Sequence, residues 1–422
     1  MKLCVMGLGY IGLPTAVMFA THGIKVHGVD INQQVVDTLN KQELHIEEPG
    51  LKELLIKAIK DGNLSFSTQP EPADAFILAV PTPITEEKRA NLDYVRHASK
   101  MILPYLRKGN LVVLESTVPP KTVEEVLVPI LQQTSLKIGE EILVSHSPER
   151  IIPGNLLKEL VWNDRIIGGI NQKSSELTAN LYKRFVKGSI HATDATTAEM
   201  VKLVENTYRD VNIAYANELA RIAEKIGFNV WEAIRLANSH PRVNILRPGP
   251  GVGGHCIAVD PWFIVEQAPE EAKLIGTARQ INDHTPRRIV EMIENTVQDL
   301  KQPVITLLGL AFKENTDDLR ESPSLEIMHA LHKKGYQLKI YDPLVKQHVG
   351  GKIDTLEEAV RNSDCLVLLT GHEEFKNFDF QMLKGLVRTK IVFDTRNIFD
   401  KNGLEANGFQ YIQIGNPIIR EN

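Results

Sequence analysis

Cys256 follows a glycine-rich stretch, Pro248 through Gly254, whose small residues leave a thiol with room for an approaching carbon atom. Nucleophilic cysteines need that access together with surroundings that favour the thiolate. Glycine loops also make plain turns, so the loop by itself leaves a packing role open. The other two cysteines lie in apolar runs, Cys4 within Lys2 to Met6 and Cys365 within Asp364 to Leu369, which are expected as short buried strands. A second constellation is Lys202, Asn206 and Arg209, spaced four and three apart. On a helix these three share a face. A lysine, an amide and a guanidinium together can hold an oxyanion, although the same spacing describes the wet stripe of an amphipathic helix.

The third chemical signal opens the chain. A strand from Lys2 runs into Gly7-x-Gly9-x-x-Gly12, then a helical stretch Leu13 to His22, then a strand Lys25 to Asp30. Glycines at that spacing let backbone N–H groups and a helix N-terminus approach a pyrophosphate, and Asp30 is placed to accept hydrogen bonds from a ribose diol. After Asp30 comes Ile31-Asn-Gln-Gln-Val35, with no Arg or Lys to receive a 2′-phosphate, so NAD is expected rather than NADP.

These groups need elements to position them, and the chain is long enough for more than one core. It has 422 residues, 43% hydrophobic and 24% charged, the balance of an ordered globular protein. The net charge of −5 gives no basic footprint for nucleic acid, and an anionic ligand needs local cations. Three cysteines do not make a disulfide framework. No apolar run reaches membrane-spanning length and the start lacks a secretory pattern, so a cytoplasmic protein without membrane association is expected. No metal site is expected.

Apolar runs Ala75 to Val80, Leu111 to Leu114 and Ile142 to Ser145 read as parallel strands. Their carboxyl ends would point Thr82, Thr117 and Glu149 at one crevice. Helical periodicity from Ala195 to Ala237, interrupted at Gly227, predicts a long helix between two domains, of the kind that doubles as a dimer interface. The C-terminal part repeats the design: strand Val304 to Ala311, helix Ser324 to Lys334, and strands Gln337 to Asp342, Asp364 to Leu369 and Lys390 to Asp394. It lacks the later fingerprint glycines and inserts Phe312 to Arg320, where Lys313 and Arg320 are either anion ligands at a strand end or solvated surface charges. The expected fold is therefore α/β, two Rossmann-like doubly wound parallel-sheet domains joined by a long central helix. The expected division is a dinucleotide-binding domain 1–192, a central helical dimerisation region with the cysteine loop 193–298, and a second Rossmann-like domain 299–422 suited to a different phosphorylated ligand.

Gly7-x-Gly9-Tyr10-x-Gly12, Ser116-Thr117, Ser147-Pro-Glu149, Lys202-x3-Asn206, Gly253-Gly-x-Cys256 and Phe312-Lys313 through Arg320 occur in this order. Together they resemble the UDP-glucose/GDP-mannose dehydrogenase family along essentially the whole chain. That resemblance implies NAD, a UDP-sugar, a homodimer, and two successive hydride losses that turn a primary alcohol into a carboxylate. It further implies that Cys256 captures the intermediate aldehyde, that Lys202 and Asn206 stabilise oxyanions, and that Asp260, Glu149 and Thr117 serve proton transfer and water activation. The implied cofactor ligands are Gly7, Gly9, Tyr10, Ile11, Gly12, Asp30, Thr82, Thr117 and Arg320. The implied substrate ligands are Arg150, Ile151, Lys202, Asn206, Arg209, His240, Arg242, Gly253, Phe312 and Lys313, with Arg242 reaching across the dimer. Two positions, Val259 and Val35, depart from the basic residues usual in the UDP-glucose branch. With the segment His240 to Phe263 they point to UDP-N-acetyl-D-mannosamine, with UDP-N-acetylglucosamine as the alternative sugar. A 3-hydroxyacid dehydrogenase shares the fingerprint and the Lys-x3-Asn pair but has no use for Cys256 or the second α/β domain. A non-catalytic NAD-binding protein has no use for the open thiol.

Overall fold

The computed structural model describes residues 1–151 and 154–417. The chain divides into two compact units, Met1–Glu205 with Trp262–Pro269, and Asn206–Pro261 with Glu270–Asn422.

The first unit is built on eight strands: β1 (Lys2–Met6), β2 (Lys25–Val29), β3 (Leu64–Ser67), β4 (Ala75–Leu78), β5 (Leu111–Leu114), β6 (Leu143–His146), β7 (Arg165–Gly169) and β8 (Ile190–Asp194). Their order in the sheet is β3-β2-β1-β4-β5-β6-β7-β8. Strands covered on both faces carry near-continuous apolar runs, because neither face meets water. β1 displays the rule: Leu3 and Val5 enter one core with Leu13, Val17 and Phe19, while Cys4 and Met6 enter the opposite core with Phe76 and Val112. The helix Gly12–Thr21 is buried from Gly12 to Ala20, which explains why its sequence is apolar all round rather than striped. One joint was not expected. β6 and β7 pair antiparallel, Ser145 opposite Gly169 and His146 opposite Gly168, so the sheet is parallel at every pairing but this one. An antiparallel neighbour needs no crossover back to the starting end of the sheet. The chain therefore turns at the carboxyl edge of β6, and Arg165 enters β7 beside the loop that carries Glu149.

The second unit holds a five-stranded parallel sheet, β9 (Val304–Leu308), β10 (Gln337–Tyr341), β11 (Cys365–Leu368), β12 (Ile391–Asp394) and β13 (Gln410–Gln413), in the order β10-β9-β11-β12-β13. The switch in strand order between β9 and β11 is the hallmark of a doubly wound sheet. The expected helix after the inserted loop is Pro323–Lys333, opened by Pro323 and capped by Ser322, whose Oγ accepts the Ser324 N–H. The long helix predicted from periodicity is Ala195–Ile226, 32 residues, and Val230–Ala237 continues the run after Gly227. A further helix of 25 residues, Lys273–Val297, contains Pro286. Among the described residues no helix is long and apolar enough to cross a membrane.

Candidate active site

In the first unit the fingerprint glycines make a tight cradle. Gly7 has φ +90, and a Cβ there would stand 2.6 Å from the Ala79 carbonyl oxygen. A Cβ on Gly12 would stand 1.9 Å from the Gly7 carbonyl oxygen, whereas one on Gly9 would meet nothing within 4 Å. The two outer glycines are thus demanded by the protein's own packing, and the middle one leaves open space above a helix N-terminus. Gly9 and Tyr10 are exposed and Ile11 half-buried at this opening. Asp30, at the carboxyl end of β2, accepts the Leu8 N–H on Oδ2 at 3.0 Å and the Asn32 N–H on Oδ1 at 2.9 Å. These bonds fix the carboxylate at the rim of the cradle. Open space at Gly9, a helix start and a held carboxylate fit a dinucleotide.

Beyond β4 and β5 the loops are tied together: Thr82 Oγ1 donates to the Thr117 carbonyl at 2.6 Å, and Ser116 Oγ to the Val80 carbonyl at 2.7 Å. After β6, Glu149 is 5% exposed. Its Oε1 accepts the Arg150 N–H at 2.9 Å and its Oε2 accepts Arg165 Nη2 at 2.5 Å. Arg150 sends its guanidinium to Glu205, 2.6 Å away, and to the Asp164 carbonyl. Ile151 packs partly buried against the core. Lys202, half-buried on the long helix, acts on His146: burial first, then the lysine charge, push that imidazole down to about 3. His146 is therefore neutral, and its Nδ1 is buried without a hydrogen-bond partner.

In the second unit, Asn206 Nδ2 donates to Asp260 Oδ2 at 2.5 Å, and Arg209 Nη2 donates to Asn206 Oδ1. Asp260 is 3% exposed and opens the helix Asp260–Gln267. The Cys256 carbonyl accepts the N–H groups of Val259 and Asp260, at 3.0 and 2.8 Å. One chain of bonds thus runs from Arg209 through Asn206 and Asp260 to the turn that presents Cys256. Cys256 is half-buried, whereas Cys4 and Cys365 are buried and their thiols are pushed up to about 12, chiefly by burial. The cysteine loop lies close against the inserted loop. A Cβ on Gly253 would stand 2.5 Å from the Glu321 carbonyl, and one on Gly254, whose φ is +80, would stand 2.8 Å from the Phe312 ring. The Gly254 N–H donates to the Arg320 carbonyl at 3.1 Å. Arg320 bonds Asp318 through Nε at 3.0 Å and Nη2 at 2.6 Å. Burial raises the Asp318 pKa, but the hydrogen bonds from Arg320 outweigh it and hold the carboxyl below its usual value. Lys313 is exposed on the same loop. His240 and Arg242 form an exposed turn of their own, the Arg242 N–H reaching His240 Nδ1 at 3.3 Å.

Three participants escaped the reading of the sequence. Arg165 and Glu115 look like ordinary surface charges beside apolar runs, yet they are 5% and 1% exposed. Arg396, just past β12, donates from Nε to the Leu369 carbonyl at 2.7 Å and reaches the Gly249 loop. Burial pushes its pKa down to about 10 against the carboxylates of Glu314 and Asp394. A charged residue past a strand's carboxyl end was the available signal, the same one that drew attention to Lys313 and Arg320. Among the described residues no group of three or more His, Cys, Asp or Glu side chains could hold a metal ion.

Residues 1–186 match the NAD binding domain of the UDP-glucose/GDP-mannose dehydrogenase family, 196–284 its central domain and 306–401 its UDP binding domain. The UDP-N-acetyl-D-mannosamine dehydrogenase of Methanococcus vannielii is 48% identical over 424 residues, covering 98% of this chain and 97% of that protein. The NDP-N-acetyl-D-galactosaminuronic acid dehydrogenase of Ralstonia solanacearum is also 48% identical, over 416 residues and 96% and 97% of the two chains. Among solved structures, the UDP-D-ManNAc dehydrogenase of Pyrococcus horikoshii superposes with a TM-score of 0.93 at 41% identity, covering 99% of this chain and 100% of that one.

Proposed function

Because the chain belongs to the UDP-glucose/GDP-mannose dehydrogenase family, a family of NAD-dependent nucleotide-sugar dehydrogenases, we propose that it oxidises UDP-N-acetyl-D-mannosamine to UDP-N-acetyl-D-mannosaminuronate. The observation that carries the mechanism is the half-buried Cys256 on a turn whose Asp260 is gripped by Asn206. The choice of sugar is supported by the M. vannielii and P. horikoshii relatives.

NAD, when bound, supplies the acceptor for two hydrides in succession. Gly7, Gly9, Tyr10, Ile11, Gly12 and Asp30 hold it, with Thr82 and Thr117 at the adjoining loop ends and Arg320 as a further ligand. Cys256 stays with the sugar between the two oxidations. Its sulfur adds to the aldehyde carbon, forming the C–S bond of a thiohemiacetal whose remaining C–H is the second one to be oxidised, and a thioester results. Lys202 and Asn206 donate to the oxygen that bears negative charge at each addition. Lys202 and water held by Asp260 carry the alcohol proton away. Glu149, with Thr117, takes a proton from the water that hydrolyses the thioester and frees the Cys256 thiolate. The nucleotide part falls to Arg150, Ile151, Arg209, His240, Arg242, Gly253, Phe312 and Lys313, to which the half-buried Arg396 is added as a cation for the diphosphate. In the division of labour, 1–192 serves NAD, 193–298 carries the thiol and the dimer contact, and 299–422 serves the UDP-sugar. The reaction is cytoplasmic in this reading.

The decisive assay counts NADH formed per sugar acid with NAD and each candidate UDP-sugar. Two NADH per UDP-N-acetyl-D-mannosaminuronate is expected. Turnover confined to UDP-N-acetylglucosamine would move the assignment to that sugar. Turnover confined to UDP-N-acetylgalactosamine would place the chain with the R. solanacearum relative, which is equally similar by identity.

The homodimer is supported by one face of the long helix. Tyr208, Tyr215, Ile222 and Ile226, seven, seven and four residues apart, expose between 38% and 72% of their surface. Apolar side chains at that spacing form a stripe that a second copy would cover. Light scattering is expected to give twice the chain mass, and a monomer at micromolar concentration would remove the dimer.

A further inference from the structure

Four buried polar side chains of the first unit, drawn from four elements, form a cluster behind Glu149. Arg165, at the start of β7, sends Nη2 to Glu149 Oε2 at 2.5 Å and Nη1 to Ser147 Oγ at 3.1 Å. The same Nη1 lies 3.5 Å from Glu115 Oε1, at the end of β5. The guanidinium carbon sits 4.3 Å from the ring centre of Tyr182, whose hydroxyl donates to Glu115 Oε1. Tyr182 is held by edge contacts with Phe19 and Phe185, ring centres 5.3 and 6.1 Å apart. Glu115, Glu149 and Arg165 expose 1%, 5% and 5% of their surface, and Tyr182 none. Glu115 Oε2 and Thr15 Oγ1 are both fully buried, and the Thr15 hydroxyl acts on the Glu115 carboxyl as a neutral hydrogen-bonding neighbour.

Two carboxylates sharing one guanidinium in a dry interior leave an excess negative charge, which is costly without a second cation. One proton removes that charge. Its location follows from the unequal bonding of the two carboxyls. Glu149 has the short charge-assisted bond to Arg165 and a backbone N–H, both of which favour the anion. Glu115 has a long approach to Arg165 and only neutral hydroxyl neighbours, Tyr182 and Thr15, the second of which can equally accept a proton carried on Oε2. We propose that Arg165 is a positioning residue for the hydrolytic step: it keeps Glu149 ionised and oriented, while Glu115, held by Tyr182, carries the proton the pair must share. Burial acts in the same direction, raising Glu115 to about 7 against the attraction of Arg165, with the Glu149 charge adding to the rise. The titratable groups acting on Glu115 are Arg165, Glu149 and Tyr182, while the Arg150 guanidinium is engaged by Glu205.

The inference rests on the reading of Glu149 as base for thioester hydrolysis. In that step the water oxygen bonds to the acyl carbon, one water proton passes to Glu149, the C–S bond breaks, and its electron pair returns to the Cys256 sulfur. No oxidant is consumed. An ionised Glu149 is required at the outset, and the Arg165 bond to Oε2 holds that carboxylate in place for the water.

The test follows the acyl adduct on Cys256 by intact mass after rapid mixing of the enzyme with NAD and UDP-N-acetyl-D-mannosamine, as a function of pH. Glu149→Gln is expected to accumulate the adduct and slow its decay about 100-fold, within the usual range for loss of a general base. Arg165→Lys is expected to slow decay about tenfold and to move its acid limb up by about one pH unit, with KM for both substrates within about twofold. Glu115→Gln reproduces the neutral, protonated carboxyl and is expected to leave the acid limb in place, whereas an ionised Glu115 would make the same substitution remove a like charge and move the limb down. If Glu149→Gln turns the adduct over normally, the reading of Glu149 fails and the inference with it. If Glu149→Gln accumulates adduct while Arg165→Lys leaves the acid limb in place or Glu115→Gln moves it down, the reading stands and the inference is overturned. Should Arg165→Lys fail to fold, Glu115→Gln decides alone: an unmoved acid limb supports the inference and a downward shift overturns it.

Discussion

Replacing Cys256 with serine is expected to lower steady-state NADH formation at least about 1,000-fold while NAD binding stays at the wild-type level. A neutral serine hydroxyl is a far weaker nucleophile than a thiolate, and an ester in place of the thioester would resist hydrolysis. NAD affinity, read by fluorescence titration, is expected to persist because the glycine cradle and Asp30 belong to the first unit and Cys256 to the second. Alkylation provides an independent readout. At pH 8, iodoacetamide is expected to modify Cys256 well before Cys4 or Cys365, which are buried with thiols pushed up to about 12. A fully active Cys256→Ser enzyme would end the thioester scheme.

The second large effect concerns the cradle, and it comes as a contrast between two glycines. Gly12→Ala places a Cβ 1.9 Å from the Gly7 carbonyl oxygen, a backbone atom that no rotamer change can move aside. The loop must distort, so NAD affinity is expected to fall at least about 100-fold, close to 3 kcal/mol, together with a lower melting temperature. Gly9→Ala adds a methyl group that meets nothing within 4 Å. Its melting temperature is expected to match the wild type, yet its NAD affinity is expected to fall by at least about tenfold, because the added carbon occupies the space a pyrophosphate approaches through. Equal NAD affinity in Gly9→Ala and wild type would show that the cofactor does not lie over this loop.

Much of the first unit was legible before any coordinates. The strands Leu111–Leu114 and Lys25–Val29 lie where their apolar runs predicted them, since strands buried on both faces must be written in apolar residues. Helix boundaries followed from breakers: the long helix stops at Ile226, next to Gly227. The antiparallel entry of β7 was not legible. Strand direction depends on which neighbour a segment meets, and a five-residue run of its own contains no record of that neighbour.

The same division runs through the site. Local chemistry was determined by the sequence itself: the glycine fingerprint, Asp30 at the end of β2, the open thiol of Cys256, and Lys202 one helical turn from Asn206. Each is a short-range pattern in which spacing alone sets geometry, through the pitch of a helix or the turn that only glycine permits. What only the tertiary structure decided is how side chains far apart in sequence share charge. Asn206 meets Asp260 across 54 residues, and Tyr182 meets Glu115 across 67. Arg165 turned from an apparent surface cation into the buried partner of two carboxylates. The cost of a charge depends on the dielectric around it and on the partner within reach, and both are properties of the folded chain rather than of any segment.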